Sequence, residues 1–393
     1  MQTMALLALW GLHLVPVWSA IIPKSHQQDL AVQQQHVLGN EAEKLYAVPI
    51  DFNGFVNTIN ITIGTPPQHF NMSLDLIFNG FVVPSDTCEK YWCDYLPKQN
   101  YSSSDSSTFK PNGTWKTTIS GDQEYRGPLS YDTVRFGDLA IEHQTFIEYR
   151  FTRMRGWGSI NWGFDGVIGL APSWNNGSTD SQEDYYPNYL RLLKEKDELA
   201  ENVMSLTLPR KPGEQGELML GGTNSDLYTG DFKTVELVQD DGRGYPPIDL
   251  FYSTPITSIT LNTSKPHREI LSSKTKAILS TEPYMILPEN FTRTMLLAIG
   301  ASRLDYLRYH VPCSTRAYLP ELVFEIGAHN LSISAWDYVV ELEPPMHGMG
   351  TICVVWITPD DEEWVMLGGP FLKAFYTRFD LDRKEVGFAE VKR

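Results

Sequence analysis

The chain has 393 residues, 42% of them hydrophobic, with 29 Gly and 25 Pro spread along it. One hydrophobic core seldom serves that length, so two domains or two lobes are expected. A formal net charge of −16 argues against nucleic acid as a partner, because phosphate binding needs concentrated Lys and Arg. Such acidity favours solubility, and scarce cations also limit the positive charge that accumulates as carboxylates protonate in acidic surroundings.

In chain order, residues 1–20 read as a signal peptide. The run Met4 to Trp18 is apolar apart from His13, and Ala20 stands at a plausible cleavage point, although no Lys or Arg precedes the run. No later segment reaches the roughly 18 apolar residues needed to span a membrane. Residues 21–45 are rich in Gln, His and Glu and read as a leader or short propeptide, in which Lys24 and Lys44 are candidates to reach a cleft. Folded sequence is expected from Tyr46. Alternation from Phe55 to Leu74, broken at Gly64-Thr65-Pro66-Pro67, predicts two strands around a turn. Residues 101–114 predict a surface loop, residues 187–200 the one convincing helix, and residues 209–216 a turn-rich break. A second, strand-like half follows from about 218. Short apolar runs punctuated by Gly, Pro, Asn and Ser make the chain mostly β.

Eight sequons, at Asn60, Asn71, Asn100, Asn112, Asn176, Asn262, Asn290 and Asn330, agree with secretion. Four cysteines allow three connectivities; the spacing favours Cys88 with Cys93 and Cys313 with Cys353. A metal site is the rival for the close pair, but C-x4-C lacks a matching partner pair. The histidines, including His267, His310, His329 and His347, show no ligand spacing, so no metal or other cofactor is expected. No G-x-S-x-G elbow, H-E-x-x-H pair or Walker loop is present.

Several segments resemble the pepsin family of aspartic peptidases. Ile63-Gly64-Thr65-Pro66-Pro67-Gln68 is similar to its I-G-T-P-x-Q stretch, and Phe164-Asp165-Gly166-Val167-Ile168-Gly169-Leu170-Ala171 to its F-D-G-I-L-G-L-A block. Gly216 to Gly222, followed by Tyr228-Thr229-Gly230, and Val365 to Leu372, followed by Phe375 to Asp380, resemble two further family stretches in order. The cysteine pairs fall where two family disulfides fall. The resemblance implies a bilobal fold, two β lobes related by a pseudo-twofold axis around a peptide-binding cleft. It divides the chain into a first lobe at 46–215 and a second at 216–393. It also implies a monomer with a peptide or protein ligand in the cleft. The setting is secreted or, alternatively, a vacuolar or lysosomal lumen.

Chemistry in that family needs two carboxylates sharing a water, one ionised as base and one protonated as acid. The first motif, D-T-G-S-S-N-L-W-V-P-S, reads here Asp75-Leu76-Ile77-Phe78-Asn79-Gly80-Phe81-Val82-Val83-Pro84-Ser85. Asp75 remains, while Leu76 removes a hydroxyl that ties the two loops, Ile77 crowds a close approach, and Phe78 deletes a hydrogen-bond partner. The second motif reads Ala277-Ile278-Leu279-Ser280-Thr281-Glu282-Pro283-Tyr284. Ser280 falls at the Asp position and is expected to be non-functional; a one-residue slip to Leu279 supplies no Asp either. The cleft-covering flap is expected at Ser120, Gly121, Asp122 and Gln123. Ser120 stands where the family has Tyr, and Val82 where it has that Tyr's Trp partner. Glu282 is a substitute carboxylate only if the loop takes a different shape, and Pro283 restricts it. Two readings follow: an inactive or strongly impaired homologue that binds peptides, and an acid endopeptidase using Asp75 with an atypical partner.

Overall fold

The computed structural model describes residues 44–88, 93, 99–120, 123–154, 163–172, 189–238, 251–304, 308–342, 351–360 and 364–393. The expected signal peptide and the leader up to residue 43 lie outside them. Alternation builds the first strand: Tyr46, Val48, Ile50 and Phe52 of Tyr46–Phe52 point into the core. The strands Asn57–Ile63 and Gln68–Asp75 pair antiparallel around the Gly64 turn. Gly64 has φ +89°, a conformation with no Cβ penalty only for glycine.

One supersecondary pattern occurs twice, giving the bilobal pepsin-like fold. In the first half, Gln68–Asp75 runs parallel to Gly166–Gly169, which is antiparallel to Phe81–Pro84, itself parallel to Leu139–Tyr149. In the second, Lys276–Leu279 runs parallel to Trp364–Leu367, which is antiparallel to Met285–Pro288, itself parallel to Ile357–Asp360. Gly166–Gly169 and Phe81–Pro84 are buried throughout, hence their unbroken apolar spelling. A glycine ends each crossing. A Cβ on Gly169 would lie 2.0 Å from the Phe78 carbonyl oxygen, and one on Gly368 1.9 Å from that of Tyr284.

The halves are sewn together by strands from both. Gln215–Leu220 pairs with Tyr46–Asp51, and Val203–Thr207 pairs with Phe375–Asp380 near the C-terminus. The Tyr252 hydroxyl donates to the Leu170 carbonyl at 2.8 Å across the junction.

Three details depart from the sequence reading. The helix expected over 187–200 spans Tyr189–Glu195; Asp197 at φ +55° and a Glu198 N–H bonded to the Leu193 carbonyl end it. A second helix, Glu289–Ala298, buries Phe291, Thr292, Met295 and Leu296 within the half that the sequence predicts to be strand-like. The surface loop predicted for 101–114 contains Tyr101, fully buried and donating to Asp132 Oδ2 at 2.6 Å, and it runs into the strand Lys110–Ser120.

A charged cluster sits at the junction. The Lys373 ammonium lies 3.6 Å from the centroid of the Phe52 ring, and Arg210 pairs with buried Asp337 at 2.6 Å. Burial brings the Lys373 ammonium down to about 7; Asp337 and Glu214 raise it, Arg316 and Arg393 lower it further. The folded value lies below the ordinary 10.5. Below pH 7 both folded and unfolded chains hold the proton and the full destabilisation is present; it is relieved as pH rises from 7 toward 10.5.

Lys373→Met is therefore expected to raise Tm at pH 5 by at least about 2–4 °C, with the gain shrinking toward pH 10 in calorimetry; a pH-independent gain would refute the cause. Gly169→Ala and Gly368→Ala are each expected to destabilise by about 3 kcal/mol or more in denaturant titrations, because the colliding atoms are backbone.

Candidate active site

Gln68–Asp75 alternates inward through Phe70, Met72 and Leu74 and then breaks the pattern, with Asp75 also buried at 5% exposure. The carboxylate is held from three sides. Its Oδ1 accepts the Ile77 N–H at 2.8 Å, its Oδ2 accepts the Ser120 hydroxyl at 2.8 Å, and the Phe78 N–H contributes a further bond. Burial pushes the Asp75 carboxyl above its usual range, and the bonds from Ile77, Ser120 and Phe78 pull it part of the way back.

Ser280 holds the same relation to the second crossing. Leu279 pairs with Leu367, so Ser280 comes level with Gly368 as Asp75 does with Gly169. The slipped alignment, with Leu279 at that place, does not fit this register. Ser280 is fully buried, and its Oγ accepts the Glu282 N–H at 3.0 Å, as Asp75 accepts that of Ile77.

The loops remain tied, contrary to the expectation drawn from Leu76. The Thr281 hydroxyl donates to the Leu74 carbonyl at 2.6 Å and accepts the Leu76 N–H at 3.3 Å. One side chain, reaching across from the second loop, grips both peptides flanking Asp75. Thr281 is named in the second motif, but its grip is invisible without the partner loop. Ile77 likewise does less harm than expected, since its backbone N–H keeps its bond to Asp75.

Phe78 turns inward. Its ring curls over Gly80, where an added Cβ would lie 2.4 Å from a ring carbon. It packs with Val82, Tyr125, Leu129, Ile147, Tyr149 and Val167 in a cluster separate from the main core. The strands Lys110–Ser120 and Gln123–Phe136 form the hairpin above, with Ser120 opposite Gln123; Gly121 and Asp122 lie outside the described residues. On its inner face, Thr118 pairs with Tyr125. The Tyr125 hydroxyl is pushed up first by burial, then by the charges of Asp75 and Glu282, so both carboxylates act on it. Sequence reasoning missed Tyr125; its spacing of two from Gln123 was the available signal. Half-buried Glu282 also accepts the Gly369 N–H on its carbonyl at 2.7 Å.

Other candidate groups are elsewhere. Lys44 bonds Asp197, its ammonium 2.7 Å from Oδ2, and does not reach Asp75. Cys88–Cys93 and Cys313–Cys353 are disulfides. His267 stacks on Phe291, and His329 meets the Thr234 carbonyl; His347 lies outside the described residues. Among the described residues no cluster of three or more His, Cys, Asp or Glu could hold a metal, and no helix is long and apolar enough to cross a membrane. Of the sequons, Asn60, Asn100, Asn112, Asn262, Asn290 and Asn330 are exposed, whereas the Asn71 amide donates to the Gly163 carbonyl at 3.1 Å. Asn176 is not among the described residues.

Residues 57–391 match the family model for eukaryotic aspartyl protease. A probable vacuolar protease A of Trichophyton verrucosum is 29% identical over 385 residues, covering 95% of this chain and 88% of that one. Cathepsin D of Chionodraco hamatus is 30% identical over 338 residues, 84% of this chain and 80% of the relative. Cathepsin D of Gallus gallus is 30% identical over 339 residues, 84% and 79% respectively. With the twice-repeated crossing and the two facing loops, these matches establish that the chain belongs to the eukaryotic aspartyl protease family.

Proposed function

We propose that this chain binds extended peptides in the cleft between its lobes and hydrolyses them poorly or not at all. The observation that supports this most directly is the parallel between Asp75 and Ser280: each accepts the N–H two residues ahead, level with a crossing glycine. In this reading Ser280 stands in for the second aspartate. A serine hydroxyl does not titrate in the range that lets two groups share a proton. Asp75 alone then has no acid opposite it to protonate a peptide carbonyl while it draws a proton from water. Loss of one acid/base group typically lowers a rate by ~10²–10⁴.

A second reading has a specific observation in its favour. Thr281 fixes the second loop to the peptides on either side of Asp75, and Tyr125 lies under the influence of both Asp75 and Glu282. Glu282 would then serve as a displaced acid, giving weak hydrolysis at acidic pH. The setting is proposed as an oxidising, acidic one, either secreted or vacuolar. Two disulfides support it, as do the vacuolar names of several relatives and six exposed sequons. The ligand-bound form is proposed to be a monomer.

Purified protein incubated with denatured haemoglobin or casein between pH 3 and 6 is expected to cleave at least ~10²-fold more slowly than a relative with both aspartates. Brisk cleavage that a statine-type inhibitor blocks and Asp75→Ala abolishes would sink the first reading. The readings separate on Glu282→Gln: any residual cleavage is expected to survive it if Glu282 is idle, and to fall to background if Glu282 is the acid. Ser280→Asp is expected to recover only part of the family rate, because Phe78 and the Ser120 contact stay in place.

A further inference from the structure

The second lobe carries a polar hollow of about 430 Å³ that shares no residue with the site at Asp75. Its floor is sheet. The strand Ser253–Asn262 pairs antiparallel with His267–Ile270 on one side and with Glu321–Ile326 on the other, and His329–Ile333 follows at the edge. Alternation turns Ile259 and Leu261 into the core and gives Ser258, Thr260 and Asn262 to the hollow. Three polar side chains there hold one another. The Ser258 hydroxyl donates to Glu325 Oε2 at 2.8 Å, Arg268 Nε donates to that hydroxyl at 3.1 Å, and Arg268 Nη2 reaches the same carboxylate oxygen. Half-buried Val323 and exposed Pro266 add a little apolar surface to the lining.

Two of the eight sequons meet at this hollow. Asn262-Thr263-Ser264 and Asn330-Leu331-Ser332 each place an exposed asparagine in its lining. Asn262 is the last residue of its strand and Asn330 the second of the edge strand, so both stand beside turns, open to a transferring enzyme. Asn262 is level with Glu321, and Asn330 with Glu325. That sets the two about 13 Å apart along the sheet and two strand spacings, about 10 Å, across it. Sugar attached at either side therefore borders one shared floor. The floor suits an amino sugar: a guanidinium donates to its oxygens, a carboxylate accepts from its hydroxyls, and Val323 and Pro266 meet its C–H face.

We propose that N-linked glycans on Asn262 and Asn330 lie down in this hollow, which serves as a bed for the protein's own sugar. Attachment joins the asparagine amide nitrogen to C1 of an N-acetylglucosamine. The C1–O bond to the diphosphate of a lipid-linked oligosaccharide breaks, the diphosphate leaves with the electron pair, and the amide proton passes to a base of the transferring enzyme. The inference rests on the proposed secretory setting, because that route supplies the lipid-linked donor.

Peptide mass spectrometry of the full-length chain, secreted from eukaryotic cells, reads the occupancy of each sequon. Asn262 and Asn330 are expected to carry sugar, and its absence from either overturns the shared bed. Sugar at other sequons but not at these two overturns the bed alone; sugar at none sinks the secretory setting with it. Seating is then read on the folded glycoprotein from the rate at which peptide N-glycosidase releases each glycan. Release from Asn262 and Asn330 is expected to be at least about fivefold slower than from the same sites after denaturation, the effect of one net hydrogen bond. Arg268→Ala, which removes a donor from the floor, is expected to recover most of that difference. Thr260→Ala leaves the Ser258, Arg268 and Glu325 contacts in place and is a second variant expected to speed release at both sites. Equal release before and after denaturation, or slow release that neither variant changes, overturns the proposal.

Discussion

The Thr281 hydroxyl is the contact around which the centre of this molecule is organised. It bridges 205 and 207 residues of sequence to meet the Leu76 N–H and the Leu74 carbonyl. Both partners are backbone groups, so the contact is indifferent to what the side chain at position 76 has become. That explains how Leu76 can stand where the family carries threonine while the loops still meet. Here one hydroxyl both donates and accepts. Buried at 5% exposure, it works in a medium where an unmatched peptide group would be costly.

From that tie follows the environment of Asp75. Pulled into a dry site, the carboxylate is unfavourable as an anion, and its neighbours recover only part of the cost. In a working pair the second carboxylate would share that burden by holding a proton. Under the proposed reading it is spread over neutral donors instead: two backbone N–H groups and the Ser120 hydroxyl. Phe78 and Tyr125 then fill the adjoining space with apolar area. In that reading, framework and chemistry have parted company. Gly169 and Gly368 persist because a neighbouring carbonyl leaves no room for a Cβ, a constraint that holds whether or not the loops do any catalysis.

The junction between lobes carries a related tension. Lys373 is a buried cation resting on the Phe52 ring, amid Arg316 and Arg393 and against the charges of Asp337 and Glu214. Burying an ammonium weakens folding in acid, the condition to which an acidic surface is otherwise suited. Cations from the second lobe thus meet an aromatic ring from the first, and the lobes are not electrostatically independent.

Much of this was legible in the amino-acid order. Alternation in Tyr46–Phe52, the Gly64 turn, the solid apolar spelling of the crossing strands and the close Cys88/Cys93 pair are local patterns with local causes. The place of Ser280 could be read to within one residue, because a shortened loop left two alignments open. Strand register, which supports Ser280 in the proposed reading, is out of reach of the sequence, since pairing of Leu279 with Leu367 is a fact about two segments 88 residues apart. The helix at Glu289–Ala298 escaped notice for a similar reason: a ten-residue stripe takes its meaning from what covers it. The grip of Thr281, the inward turn of Phe78, the nearness of Tyr125 to Asp75 and Glu282, and the bond from Ser120 to Asp75 were decided by tertiary structure alone. Each joins side chains to groups on another loop or strand. No periodicity along the chain encodes a hydrogen bond whose two ends meet only after folding.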